Sequence, residues 1–189
     1  MSSKQSILHA LKSVAVEPQA MPKIDVSPRL DDIIGQFENS LTTVAATLHK
    51  DQGIDGLQVK VDELVAQGLQ VISTIDGIKA NRDVPETAHE LRDIDYAVIK
   101  GDVGVAENGA IWVNTSKLGH RVTPFICENL LLVVEASSVV ANMHQAIQNV
   151  ALNNGEFGVF IAGPSKTADI EQALVVGAHG ACSLNVYLV

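Results

Sequence analysis

The sequence is poor in cysteine, in basic residues and in aromatic residues, and these shortages exclude several classes of protein. Its two cysteines, Cys127 and Cys182, form no CxxC motif and no cluster with histidine, so the chain cannot hold an iron–sulfur cluster on its own. It has 13 basic residues against 22 acidic ones, and the net charge of −9 disfavours nucleic acids and anionic membrane surfaces as partners. An aromatic fraction of 4% beside a hydrophobic fraction of 47% predicts a core of Val, Ile, Leu and Ala.

Long hydrophobic runs are also missing. The longest apolar stretches, such as residues 130–134, have the length of a strand and fall far short of the roughly 20 residues that cross a bilayer. The first residues, MSSKQSILHALKS, contain too short an apolar stretch for a signal peptide and no small-residue cleavage site. We therefore expect a cytoplasmic protein without a membrane span.

The chain has the length of one domain, 189 residues. Residues 3–13 predict a short amphipathic helix, and three prolines between residues 18 and 28 separate it from the rest. We expect an N-terminal helical arm and linker over residues 1–27 and a single α/β domain over residues 28–189. The arm is expected to pack on this domain or on another subunit, so a homo-oligomer is one alternative.

Periodic apolar residues predict further helices, and continuous apolar runs predict strands. The clearest helix begins near Pro28 with Ser27 as its cap and ends near residues 51–53. Continuous runs indicate strands that are covered on both faces, so the sequence predicts a three-layer α/β/α fold with a mostly parallel sheet. The other helices are expected at 59–67, 138–151 and 168–176, and the strands at 69–73, 96–100, 110–115, 130–136, 158–164 and 184–189.

The segment GPSKT lacks the glycines that a P-loop needs. What remains is a turn at Gly163 and Pro164 after a strand, with Ser165 or Thr167 capping the next helix, where an anion can meet free N–H groups. Asp169 in the first turn already complements the helix dipole. A capped helix after a tight turn and an anion-binding site are therefore equally open at this point.

The same helix is expected to end at Gly177, before a histidine–glycine pair that precedes the last strand. His179 at such an edge can donate a hydrogen bond to an anion and titrate near neutrality, or it can bond only within the loop. Both alternatives stay open, for His179 and for the adjoining Gly180.

The segment GDVGVAENGAIWV (101–113) is the second candidate for chemistry. Its Asn108–Gly109 pair between apolar flanks predicts a hairpin, and Gly104 permits a tight backbone. Glu107 is either solvated at the hairpin tip or held against glycine-lined space as a nucleophile or base. Arg121, in the next loop, is the candidate for pairing with a substrate carboxylate, or else a surface arginine. No spacing of His, Asp and Glu predicts a metal site.

Taken in order, GDVGVAENGAIWV, Arg121, the strand NLLLVVE and the segment IAGPSKTADIEQALVVGAHG resemble the LUD domain family of lactate utilisation protein C. The resemblance implies a fold similar to the sugar-isomerase and CoA-transferase superfamily. It also implies a role in the oxidation of L-lactate to pyruvate beside separate iron–sulfur partner subunits. The sequence departs from the family pattern at Asn108, Asn129 and Ala181, where the family usually has Thr, His and Pro.

A narrower resemblance concerns AENG (106–109), which is similar to the SENG segment of class I CoA-transferases. In those enzymes the glutamate forms an acyl thioester with CoA, which implies Glu107 as the nucleophile of an acyl or CoA transfer. A non-catalytic interaction module is the third alternative.

With the family resemblance, we expect a site for a small carboxylate or other small anion, with no metal and no cofactor in this chain. Glu107 is the catalytic candidate. The anion-binding candidates are Arg121, Gly163, Ser165, Thr167, His179 and Gly180, and the residues expected to shape the site are Gly104, Gly109, Pro164 and Asp169.

Overall fold

A five-stranded parallel sheet forms the centre of the fold. The computed structural model describes residues 2–14, 17, 19–20, 22, 31–153, 155–168 and 174–189. Within these residues the strands are β1 (Thr47–His49), β2 (Val71–Ser73), β3 (Tyr96–Gly101), β4 (Val103–Val105), β5 (Ile111–Asn114), β6 (Asn129–Val134), β7 (Val139–Val140), β8 (Gly158–Ile161), β9 (Lys166–Ala168), β10 (Leu174–Val176) and β11 (Ser183–Leu188).

Helices connect and cover these strands. The α-helices are α1 (Ser3–Ser13), α2 (Ile33–Thr43), α3 (Gly53–Ala66), α4 (Thr123–Ile126) and α5 (Met143–Asn149), and short 3₁₀ helices cover Ala88–Asp93, Thr115–Lys117 and Ala136–Ser138. Helix α1 has the predicted bounds, and none of its residues is buried. The predicted boundary between arm and domain, at residues 27 and 28, lies outside the described residues. Within the described residues, no helix is both long and apolar enough to cross a membrane.

The parallel sheet has the strand order β1-β11-β6-β3-β2. One face packs on α3 through an apolar cluster that includes Leu57, Val61 and Leu131. The other face packs on α2 and on a second sheet through a larger cluster that includes Phe37 and Leu132. The predicted three-layer α/β architecture with a mostly parallel sheet is confirmed.

The second sheet has four strands in the order β7-β4-β5-β8 and is mostly antiparallel. It contains two of the apolar runs that were expected in the parallel sheet, now β5 and β8. Trp112 of β5 and Ala146 of α5 belong to a third apolar cluster, so α5 covers the outer face of this sheet. Helix α5 is shorter than the predicted 138–151, because residues 139–140 form β7 and Asn142 caps the helix.

The helix predicted over residues 28–51 ends early. Its N-cap is Asp32, and its predicted start at residues 27–28 lies outside the described residues. The helix ends at Thr43, and Ala45 takes a left-handed φ of 62°. The chain then forms β1, which pairs in parallel with β11 at the edge of the sheet.

The helix predicted over residues 168–176 is wrong at both of its described ends. Lys166–Ala168 and Leu174–Val176 are the strands β9 and β10, which pair with each other in antiparallel register. Thr167 therefore lies in a strand, and neither it nor Ser165 caps a helix. The favourable packing of β-branched residues on a strand pair outweighs the weak helical spacing. Asp169 lies outside the described residues.

Candidate functional site

A cavity of about 280 Å³ lies where the carboxyl end of β8 meets the first residues of β6 and β11. Its floor is apolar, and its polar groups come from the turn after β8 and from the segment before β11. The lining residues are Pro124, Phe125, Leu130, Val159, Phe160, Ile161, Gly163, Ser165, Lys166, His179, Gly180, Ala181 and Leu184.

Backbone hydrogen bonds hold the two polar segments of this cavity together. The Ser165 N–H donates to the Ala181 carbonyl at 2.8 Å, and the Gly177 N–H donates to the Ser165 carbonyl at 3.0 Å. A Cβ on Gly180 would lie 3.2 Å from Cβ of Ser165, so any side chain at this position would press on Ser165. The segments that the sequence marks as GPSK and HG are therefore neighbours in space.

The turn after β8 is fixed against the end of α2. Gly163 has a left-handed φ of 75°, and a Cβ at this position would collide with the Val44 carbonyl oxygen. The Lys166 ammonium donates a hydrogen bond to the same carbonyl. The backbone conformation and the close approach both require glycine at position 163.

Two polar side chains at the cavity remain without a partner within the described part of the chain. Neither the Ser165 hydroxyl nor the His179 ring makes a hydrogen bond there, and both residues line the cavity. Serine donates one O–H, the His179 ring can donate an N–H, and Lys166 brings a positive charge. These donors can bind a carboxylate or another small anion.

The AENG loop forms the predicted hairpin between β4 and β5, with Gly109 at a φ of 70°. The Ser40 hydroxyl donates to the Ala106 carbonyl at 2.7 Å, which holds the loop on α2. The exposed Glu107 carboxylate accepts a hydrogen bond from the Met143 N–H at 3.0 Å, at the start of α5. Glu107 does not line the cavity.

Two glycines of this hairpin region are placed by close contacts. A Cβ on Gly104 would lie 3.1 Å from the Phe37 ring, and a Cβ on Gly109 would lie 3.0 Å from the Leu41 nitrogen. Both glycines therefore let the hairpin approach α2, and neither of them lines the cavity.

The cavity brings together four of the six predicted anion-binding residues, namely Gly163, Ser165, His179 and Gly180, and also Pro124 and Lys166. It does not include Arg121, which is exposed, or Thr167, which lies within β9. Pro164 lies in the turn itself and is partly buried.

The sequence-based prediction missed Lys166 and the apolar floor. Lys166 stands between two residues that were chosen, so its charge was a usable signal. The floor residues Phe125, Leu130 and Leu184 come from separate elements, and only the tertiary structure brings them together.

The number and the burial of the cysteines limit what this chain can bind by itself. An iron–sulfur cluster is usually held by four thiolates, whereas this chain has two cysteines. Burial raises the pKa of the Cys127 thiol to about 12, and Cys182 is exposed. Among the described residues, no three His, Cys, Asp or Glu side chains are grouped so that they could hold a metal ion.

The parallel sheet, its flanking helices and the cavity define an α/β domain with a site of small-ligand size. A model of the LUD domain matches residues 3–189, so the chain belongs to the LUD domain family. This confirms the resemblance on which the sequence-based prediction rested.

Several curated relatives share the name Lactate utilization protein C. The protein from Shouchella clausii is 31% identical over 105 residues, which cover 53% of this chain and 46% of the relative. The protein from Bacillus pumilus is 33% identical over 131 residues, which cover 66% of this chain and 53% of the relative. The protein from Deinococcus radiodurans is 28% identical over 185 residues, which cover 91% of this chain and 87% of the relative. The chain thus spans about half the length of the first two relatives.

A solved structure supports the fold. The crystal structure of a DUF162 family protein from Deinococcus radiodurans aligns with a TM-score of 0.63 and 20% sequence identity. The alignment covers 83% of this chain and 96% of that one. At this identity the likeness concerns the architecture alone.

Proposed function

We propose that this chain has a role in lactate utilisation, as a subunit that supports the oxidation of L-lactate to pyruvate. Its part is to bind the small carboxylate in the cavity at Ser165 and His179. The proposal draws on the name shared by the curated relatives and on the membership in the LUD domain family.

The observation that carries the site is the meeting of two sequence segments in one cavity. Ser165 comes from GPSK and His179 from the histidine–glycine pair, 14 positions further along, and a direct backbone hydrogen bond holds Ser165 to Ala181. Both side chains line the same cavity. Their hydroxyl and ring have no hydrogen-bond partner within the described residues, which leaves them available to a ligand.

The polar end of the cavity suits a carboxylate. The Ser165 hydroxyl donates to one carboxylate oxygen, and His179 supplies a second donor. Lys166 adds a positive charge beside them, after exchanging its contact with the Val44 carbonyl for the ligand. The apolar floor, with Leu130 and Leu184, receives the methyl group.

The redox centres of the reaction are proposed to lie on separate iron–sulfur subunits. Oxidation of lactate to pyruvate releases two electrons and two protons, and the electrons pass to those subunits. The two cysteines of this chain cannot hold such a cluster by themselves. The proposed complex is therefore needed to complete the reaction.

Calorimetric titration of the full chain with L-lactate and with pyruvate tests the site. Ser165→Ala is expected to weaken binding about 10-fold or more, because it removes a hydrogen bond to a charged group. Thr167→Val is the matched control, since it removes a hydroxyl that does not line the cavity. Equal loss in the two variants, or no binding of either acid by the unaltered chain, would contradict the site.

Purification and growth test the role in the cell. A tagged copy isolated without oxygen from its host should retain iron–sulfur proteins and oxidise L-lactate. Deletion should impair growth on L-lactate and leave growth on another carbon source unchanged. Normal growth on L-lactate, with no retained partners, would overturn the role.

A further inference from the structure

A second, larger cavity lies on the opposite face of the parallel sheet, as a groove of about 530 Å³ between α3 and the β1 edge. Among the described residues, it shares none with the cavity at Ser165. Its lining residues are His49, Gln52, Gly56, Val59, Lys60, Glu63, Tyr96, Leu131, Asn185 and Tyr187.

The groove exists because the apolar cluster beneath α3 does not extend to the edge strand. That cluster takes side chains from β2, β3, β6 and β11, and within the described residues it takes none from β1. The edge of this face carries polar side chains instead, including His49 and Asn185. Polar residues are unusual on the covered face of a parallel sheet, whose strands are typically apolar throughout.

Three of these side chains form an ordered cluster. His49 lies opposite Tyr187 in the pairing of β1 with β11, and the two rings stack with centroids 4.5 Å apart and planes inclined by 17°. The His49 Nε2 and the Asn185 Oδ1 are hydrogen-bonded at 3.0 Å. The contact to an amide oxygen requires a proton on Nε2, so Nδ1 of a neutral ring is an acceptor.

The cluster retains unused hydrogen-bonding groups. Tyr187 is 2% exposed, and its hydroxyl makes no hydrogen bond within the described residues. Burial raises the pKa of this phenol, and the Glu63 carboxylate raises it further, so the hydroxyl is neutral at physiological pH. Asn185 keeps its amide donors and a second lone pair on Oδ1.

The rim of the groove is close to electrically neutral. Lys60 Nζ lies 3.4 Å from the Glu63 carboxylate, and both residues are on α3. A balanced pair of charges favours neither a phosphate nor an ammonium group. The groove therefore offers aromatic surface together with neutral donors and acceptors.

We propose that this groove binds an uncharged heteroaromatic ring of nucleobase size. Its ring packs against His49 and Tyr96, Asn185 binds a donor and an acceptor on one ring edge, and the Tyr187 hydroxyl supplies a further hydrogen bond. A side-chain amide pairs in this way with an adenine edge. The volume suits a ligand of nucleoside size. This site is independent of the proposed carboxylate cavity.

The sequence supplies a selective probe for this groove. The chain has two tyrosines, Tyr96 and Tyr187, and both line the groove. Its single tryptophan, Trp112, lies beneath α5 in the other sheet. Fluorine NMR of the full chain, labelled with fluorotyrosine and fluorotryptophan, therefore reports the groove and a remote control in one spectrum.

Titration with adenosine should shift the fluorotyrosine signals saturably and leave the fluorotryptophan signal in place. Asn185→Ala should weaken binding at least 5-fold, the lower limit for loss of a bidentate pair. Tyr187→Phe, measured by calorimetry, should weaken it about 2- to 10-fold, because only a hydroxyl is lost. Ser165→Ala is the matched control and should leave adenosine binding unchanged.

Several outcomes would overturn this site. They are a lack of saturation up to millimolar adenosine, equal affinity in Asn185→Ala with unchanged thermal unfolding, or tighter binding of adenosine monophosphate than of adenosine. Titration with L-lactate separates the two proposals, since lactate should leave the fluorotyrosine signals unshifted. A failure of lactate binding at Ser165 would leave the adenosine result standing.

Discussion

Two glycine-bearing loops, residues 106–110 and 162–165, pack on the same end of α2 and differ in what they leave free. Gly109 meets the helix at its last turn, and Gly163 meets it just beyond the helix end, each with a positive φ. The contact with α2 by itself explains why both positions are glycine. Glycines in a sequence motif are therefore weak evidence for a ligand, because close packing alone demands them.

The side chains beside the glycines distinguish the loops. Glu107 has a hydrogen-bond partner in the Met143 N–H, so its carboxylate joins the hairpin to α5. Ser165 has no side-chain partner within the described residues and lines a cavity. An unpaired donor at a cavity is stronger evidence for binding than a motif, and this favours the second loop as the ligand site.

The largest expected effect comes from Gly163→Ala. The substitution combines a left-handed φ with a collision at the Val44 carbonyl, and should lower the free energy of unfolding by about 3 kcal/mol. Urea denaturation measures the loss. Gly68→Ala is the control, because Gly68 also has a positive φ but nothing lies within 4 Å of its Cβ position. A loss of about 1 kcal/mol is expected there, and equal losses would show that the contact with α2 contributes little.

The buried thiol of Cys127, in the apolar cluster that includes Phe37 and Leu132, gives a pH-dependent effect. Folded Cys127 keeps its proton up to a pKa of about 12, whereas the unfolded thiol ionises near 9.0. Ionisation therefore favours the unfolded chain, and stability is lost as the pH rises from 9 towards 12. The loss at pH 10 should be about 1.4 kcal/mol, and Cys127→Ala should remove this part of the pH dependence.

The same thiol can report opening of the apolar cluster around it. A thiol reagent at pH 8 should label Cys182 and spare Cys127 in the native chain, because Cys182 is exposed and Cys127 is buried. Rapid labelling of both thiols in the native chain would contradict the packing described for Cys127.

Glu107→Ala should have a smaller effect on stability. Loss of the hydrogen bond to the Met143 N–H should lower the free energy of unfolding by about 1 kcal/mol. Lactate binding should be unchanged, because Glu107 does not line the cavity. Mass spectrometry after incubation with acyl-CoA compounds tests the alternative, in which Glu107 is the nucleophile of an acyl or CoA transfer. A covalent adduct that Glu107→Gln abolishes would support that alternative.

The smallest effect on stability is expected at the proposed ligand site. Ser165→Ala removes a hydroxyl without a partner in the described residues and should change the free energy of unfolding by less than about 0.5 kcal/mol. A loss of 1 kcal/mol or more in thermal unfolding would mean that the hydroxyl is structural, and the contrast with Glu107 would disappear.

The sequence-based prediction was accurate where local sequence sets the structure, and it failed where pairing with distant residues sets it. The six strands predicted from continuous apolar runs are all present, because such runs indicate burial wherever the strand lies, whereas residues 139–140 form a strand inside a predicted helix. The helix expected over residues 168–176 was wrong, because the pairing of β9 with β10 overrode a weak periodicity. The helix predicted from Pro28 extended too far, since residues 47–49 pair with a strand more than 130 positions away.

The prediction of the site likewise succeeded in part and failed in part. Ser165 and His179 were chosen together and both line one cavity, yet the reason offered, a helix N-terminus, was not the one in the structure. Thr167 and Arg121 were chosen for their chemistry and do not line the cavity. Residue type indicates which reaction a side chain can support, and it carries little information about the direction in which the side chain points.

The sequence by itself determined the α/β class, the family and the segments that carry polar chemistry, because composition, apolar runs and short motifs are local properties of the chain. Only the tertiary structure decided which of those segments lie next to each other in space. It placed GPSK beside the histidine–glycine pair, bonded Glu107 to α5 and left His49 and Asn185 in an open groove. Such meetings depend on strand pairing and close packing between residues far apart in the sequence.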